Sequence, residues 1–125
     1  MDDDDYFWAG TRAGRLLLQK CSACGRLRHP PVPMCAACHS LRWAPHAACG
    51  RGTVHTWIIS RHPSEPQAAP RLVAVIELEE GVRLVSNLTH IVPAEVRIDM
   101  PVELCFAEQD GRVLPQFRPA RPFEG

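Results

Sequence analysis

The sequence predicts a mainly β protein: an N-terminal helical segment, a four-cysteine metal ribbon, then a five-stranded closed barrel. Three observations lead there. Four cysteines stand in the pattern C-x2-C-x10-C-x2-C, as Cys21, Cys24, Cys35 and Cys38. Five short apolar runs with strand character follow residue 51, separated by turn signals. Twelve prolines and eight glycines in 125 residues leave room for many turns and little helix. The expected division is 1–20 for the helical segment, 21–50 for the ribbon, 51–120 for the barrel and 121–125 for a tail.

From Tyr6 to Lys20 the pattern is that of a short amphipathic helix, with Phe7 and Trp8 early and Leu16, Leu17 and Leu18 late. Asp4 and Asp5 lie where negative charge favours a helix N-terminus. Gly10 and Gly14 weaken such a helix and allow a break. Its aromatic face must pack on the rest of the chain or on a partner.

Each C-x2-C pair can present two thiolates to one tetrahedral ion, and two pairs close a four-thiolate site with no position left for water or substrate. The expectation is therefore one structural Zn2+ per chain, held by Cys21, Cys24, Cys35 and Cys38. Gly25 follows the second ligand, where the chain turns tightly, and His39 occupies the equivalent place in the second pair, a left-handed position that histidine tolerates. His29, Pro30, Pro31, Val32, Pro33 and Met34 make a stiff spacer that excludes helix. His29 and His39 are read as bystanders. Disulfides are the rival reading, but no leader-like segment precedes the cysteines, and paired C-x2-C motifs in an intracellular setting point to metal. A thioredoxin-like redox motif would need a βαβ unit, and the pattern shows none. Cys49 and Cys105 remain outside this set, and their apolar surroundings suggest small buried residues.

The barrel strands are expected at 53–59, 71–78, 82–88, 101–107 and 112–117. Glu79, Glu80 and Gly81 turn the second into the third, and Asp110-Gly111 is a two-residue hairpin signal joining the last two. Residues 93–98 form a helical turn or an irregular crossing between the third and fourth. Five strands with such an interruption match the OB-fold, whereas a sandwich would need more. The proline-rich stretch 62–70 reads as a surface loop and a candidate contact loop.

Charged residues make up 22% of the chain and hydrophobic ones 46%, consistent with a true core, and no apolar run approaches the roughly 20 residues that span a bilayer. A water-soluble, cytoplasmic protein is the expectation. The net charge of zero conceals an asymmetry. Between Tyr6 and Ser64 lie Arg12, Arg15, Lys20, Arg26, Arg28, Arg42, Arg51 and Arg61 and no carboxylate, while the barrel half carries an acidic excess. Either the basic half meets something anionic or the two halves attract each other.

Several motifs in order resemble a known family. Phe7-Trp8, the run Gly14 to Cys21, Cys24-Gly25, Pro30-Pro31, the linker Trp43 to Gly50, the strand opening Arg51 to Trp57, Asp99 to Val102, and the closing Leu114 to Pro119 all match. This is the "domain of unknown function" family that joins a rubredoxin-like zinc ribbon to an OB-fold and accompanies acyl-CoA enzymes. The resemblance spans residues 6–120; His39 in place of glycine and Cys49 in place of serine are its departures. It implies an accessory, non-catalytic subunit beside a thiolase-fold enzyme, either a thiolase or an aldolase that shortens steroid side chains, or beside a hydratase. The partner would hold the catalytic residues, and the OB-fold would line part of a channel for the coenzyme A moiety.

The residues themselves offer no nucleophile with an adjacent base, no paired carboxylates and no phosphate-binding glycine loop, so no catalytic residue is assigned. His55 and His90 are read as structural histidines in ordinary strand contexts. The alternative function is nucleic-acid binding, since ribbons and OB-folds both serve it. Against it, the barrel half is net acidic and offers only Trp57, Phe106 and Phe117 as stacking surfaces.

Overall fold

The computed structural model describes residues 5–29, 31–61 and 70–120. Residues 2–4 at the N-terminus, residues 62–69 of the contact loop expected at 62–70, and the tail expected at 121–125 lie outside the described residues.

Helix α1 (Asp5–Arg12) opens the fold, with Asp5 in its first turn and Arg12 in its last, both matched to the helix dipole. It ends in a Schellman motif. The Arg15 N–H donates to the Gly10 carbonyl at 2.8 Å and the Gly14 N–H to the Thr11 carbonyl at 3.0 Å. Gly14, at φ 76°, supplies the left-handed turn this closure needs. The helix expected to run on to Lys20 is thus shorter. Leu17–Cys21 forms strand β1, with Leu16 and Leu18 buried at alternate positions. A run of three leucines fits either element, and strand pairing decides it.

Strand β1 is the centre of a three-stranded antiparallel sheet, flanked by β2 (Leu27–Arg28) and β3 (Trp43–Ala47) in the order β2-β1-β3. The stretch expected as a linker from Trp43 to Gly50 is for most of its length this third strand: Cys21 pairs with Trp43 and Leu17 with Ala47. Buried Gln19 closes the spacer onto the sheet, its side-chain oxygen accepting from the Arg28 Nε and, at 3.0 Å, from the Val32 N–H.

Strands β4 (Arg51–Ser60), β5 (Arg71–Leu78), β6 (Arg83–Leu88), β7 (Pro101–Gln109) and β8 (Arg112–Pro119) form the closed barrel β4-β5-β6-β8-β7. All five expected strands are present, with small differences at their ends. A 3-10 turn at Pro93–Glu95 fills the interruption between β6 and β7. Asp110 and Gly111 take φ values of 52° and 79°, both positive as the tight hairpin requires, and Gln109 pairs directly with Arg112. Leu72, Ala74, Ile76 and Leu78 alternate into the interior with Val54, Leu84, Leu88, Val102 and Phe117. Leu16 and Leu18 belong to the same buried cluster. Each fully buried side chain of this kind contributes about 1.5–3 kcal/mol. Ribbon and barrel therefore share one core and are not beads on a string.

Helix α1 is seated on both parts. The Tyr6 ring lies 4.7 Å from that of Trp43 in β3, Phe7 lies 5.6 Å from His29, and Arg112 of β8 stacks over Trp8. No helix among the described residues is long and apolar enough to cross a membrane.

Candidate metal centre

The four cysteines of the C-x2-C pairs come together, their Sγ atoms all within 4.8 Å of one another. Cys21 ends β1, and its N–H donates to the Arg26 carbonyl at 2.9 Å, drawing the first loop back toward β2. In the first pair the Gly25 N–H donates to the Cys21 carbonyl at 2.9 Å; in the second the His39 N–H donates to the Cys35 carbonyl at 2.8 Å. Gly25 and His39 both have positive φ, 79° and 63°. The two knuckles are thus copies of one turn, and histidine occupies the left-handed position without disturbing it. The Ser22 N–H donates to the Arg42 carbonyl at 3.0 Å, which ties the first knuckle to the start of β3.

Contacts between knuckles are close, with Cys21 and Cys38 Sγ at 3.5 Å and Cys24 and Cys35 Sγ at 3.6 Å. Four sulfurs bonded to one Zn2+ at about 2.3 Å would stand roughly 3.8 Å apart along the edges of the tetrahedron, so the donor set fits a zinc ion in number, chemistry and spacing. Cys21 and Cys35 are buried, whereas Cys24 and Cys38 are exposed. The electrostatics are those of a crowded thiol group. The backbone N–H of Cys24, more than any other neighbour, favours the Cys21 thiolate and holds its pKa down to about 6. The Cys38 N–H is the main group that lowers the pKa of Cys35. At Cys38 the Ser40 N–H favours ionisation but is outweighed by hydrogen bonding to Cys21, burial and the other two sulfurs, which push the thiol up to about 12. Successive ionisations oppose one another unless a cation neutralises them. Neither His29 nor His39 belongs to the cluster. Burial lowers the pKa of His29, keeping its ring neutral beside Phe7.

The two remaining cysteines are not the small buried residues expected. Cys105 is half-buried and touches Thr89 Oγ1 at 3.6 Å. Cys49 is exposed, where the chain leaves the ribbon for β4. Its N–H donates to Glu80 at 2.7 Å, and its thiol lies 3.3 Å from Glu79, whose other oxygen pairs with Arg51 at 3.0 Å. Local burial, then Glu79 and Glu80, push the Cys49 thiol up, while Arg51 holds Glu79 down. The turn carboxylates were legible in sequence; their proximity to Cys49 required the barrel.

His55 is exposed on β4 beside a register shift in its pairing with β5. His90 does not lie in a strand: it follows β6 with φ 60°, its Nδ1 3.0 Å from Thr89 Oγ1. Of the aromatics weighed as nucleic-acid platforms, Phe117 is fully buried and Trp57 packs against the core. Of the asymmetric charges, Arg51 of the basic half pairs with Glu79 of the acidic half at 3.0 Å. Arg83–Glu77 and Arg118–Glu103 pair within the acidic half.

A ribbon with a four-cysteine cluster, sharing its core with a five-stranded barrel, defines a zinc-ribbon and OB-fold protein. Residues 8–44 match the family model of the ChsH2 rubredoxin-like zinc ribbon domain and residues 45–107 that of the ChsH2 C-terminal OB-fold domain. The chain belongs to this ChsH2 (DUF35) family. It is 45% identical over 124 residues to a probable enoyl-CoA hydratase alpha subunit of Thermomonospora curvata, covering 97% of this chain and 39% of that protein. It is 38% identical over 107 residues to the 3-oxo-4,17-pregnadiene-20-carboxyl-CoA hydratase alpha subunit of Mycobacterium tuberculosis, covering 85% of this chain and 34% of that one. It thus spans well under half the length of these curated relatives. A chain of the solved Ltp2-ChsH2(DUF35) aldolase superposes with a TM-score of 0.88 at 41% identity, covering 95% of both chains.

Proposed function

We propose that this chain is a non-catalytic accessory subunit of an acyl-CoA enzyme, with a thiolase-fold aldolase as its partner. The observation that carries the reading is the likeness, over 95% of both chains, to the ChsH2 chain of an aldolase complex. Its role is to complete and stabilise the enzyme subunit that holds the reacting groups. The bulky coenzyme A thioester named in the mycobacterial relative points to a steroid-derived acyl-CoA as the substrate class, with the OB-fold lining part of the path for the coenzyme A moiety. The setting is the cytoplasm, where acyl-CoA thioesters are turned over. Within the subunit, Cys21, Cys24, Cys35 and Cys38 hold one structural Zn2+, which fixes the two knuckles and leaves no site for substrate.

The test is co-expression with a thiolase-fold aldolase subunit, followed by size-exclusion chromatography and retro-aldol assay of each component alone and together. A stable complex is expected, with no turnover by this chain alone and loss of activity or solubility of the partner without it. Turnover by this chain in isolation would overturn the reading.

A further inference from the structure

The aromatic residues of α1 are engaged within the chain by Trp43, His29 and Arg112, so the surplus apolar surface lies elsewhere. It lies on the barrel exterior. In β5, Leu72, Ala74, Ile76 and Leu78 point inward, which turns Val73 and Val75 outward. Their cross-strand partners on the same face are Ile58 of β4 opposite Val73, and Val85 of β6 opposite Val75. Ile58 and Val85 are 62% and 69% exposed. Four β-branched side chains therefore form a continuous apolar patch across three adjacent strands, a surface that costs solubility unless something covers it.

We propose that the outer face of β4, β5 and β6 is the docking surface for the partner enzyme subunit, whose matching face is apolar and edged with carboxylates. The inference rests on the accessory-subunit reading and adds to it the location and chemistry of the contact. The rim supplies the charge argument. Arg61 and Arg71 stand exposed at one end of the patch; at the other, Arg83 is paired with Glu77 at 3.3 Å. A second copy of this chain would bring the same arginine-edged rim, and its bordering carboxylate, Glu77, is already engaged. Like charges across a contact disfavour it, whereas an acidic rim on a different protein is attracted.

The test measures binding of the purified Ltp2 subunit of the solved aldolase to this chain, zinc-loaded and full length, at fixed salt. The double variant Ile58→Glu/Val85→Glu replaces the centre of the patch, and Arg71→Glu reverses its rim. Ile98→Glu, at a residue 56% exposed outside the patch, is the control. Zinc content and thermal melts check that each variant is folded. If the double variant fails that check, Val85→Lys and Arg71→Glu carry the comparison. The expected result is binding weakened about tenfold or more by the patch variants, with the control unchanged. Wild-type binding that these variants leave intact would overturn the docking surface and keep the accessory role. No binding by the wild-type chain would overturn both. Self-association lost in the double variant, without an effect on partner binding, would reassign the patch to a second copy and overturn the proposal.

Discussion

The guanidinium of Arg112 lies 5.0 Å from the centre of the Trp8 ring, joining helix α1 to strand β8 across the junction of ribbon and barrel. Such a cation over an indole contributes about 0.5–1 kcal/mol when exposed, and the ring adds its buried area. Together with the Tyr6–Trp43 contact it seats an eight-residue helix that could not hold its shape alone. Trp8→Ala is expected to cost about 1–3 kcal/mol and Arg112→Ala less, the first through lost packing as well as charge. Urea unfolding of the zinc-loaded protein measures both. Equal, negligible effects would show that the helix contributes nothing to stability.

Strand β4 meets β5 at an unusually close approach. A Cβ at Gly52 would stand 2.6 Å from the Glu77 carbonyl oxygen and 3.0 Å from the Ile76 side chain. Backbone cannot yield as a flexible side chain can, so Gly52→Ala is expected to destabilise by about 1–3 kcal/mol. A wild-type melting temperature for that variant would refute the argument.

Zinc content is expected to be one ion per chain on the four-thiolate reading. Cys21→Ser or Cys35→Ser should abolish it, and because Leu16 and Leu18 share the barrel's core, a chelator should lower the melting temperature of the barrel too. The sign of the pH effect follows from the thiols. Zinc takes thiolates, so affinity falls as pH drops, and it is weakest below about 6, where even Cys21 is protonated. Above that point binding must displace protons, above all from Cys38, which calorimetry in buffers of different ionisation enthalpy can count.

Cys49 is accessible, yet its partial burial and the facing carboxylates Glu79 and Glu80 disfavour its thiolate. Alkylation of Cys49 in zinc-loaded protein is therefore expected to be slower at neutral pH than that of a free model thiol, rising as pH increases. Glu80→Gln removes one of the opposing charges and should speed the reaction, as peptide mapping by mass spectrometry can follow. No acceleration would place the cause in steric access.

Single-stranded oligonucleotides are expected to bind weakly, without sequence preference, and to dissociate at moderate salt. The barrel's Phe117 is buried and Trp57 is packed on the core, which leaves the half-buried Phe106 of the three barrel aromatics, beside diffuse charge from the ribbon arginines. Salt-resistant binding in a mobility-shift assay would revive nucleic acid as the partner.

What the sequence determined by itself is what short-range chemistry encodes. The cysteine spacing specified a four-sulfur cluster, and the two knuckles form it with the left-handed residues at Gly25 and His39. Asp110-Gly111 specified a tight hairpin, and the alternation in 71–78 specified a strand with one buried face. Tertiary structure decided the rest. Leu16 to Leu18 carry a pattern that helix and strand share, and pairing with Trp43–Ala47 settled it, turning an apparent linker into a strand at the same time. Burial is a long-range property, so the exposure of Cys49 beside Glu79 and Glu80 and the internal seating of Phe7 and Trp8 emerge only when distant segments meet. For the same reason the patch of Ile58, Val73, Val75 and Val85 has no trace in any one segment: three strands must lie side by side before their outward side chains become a surface.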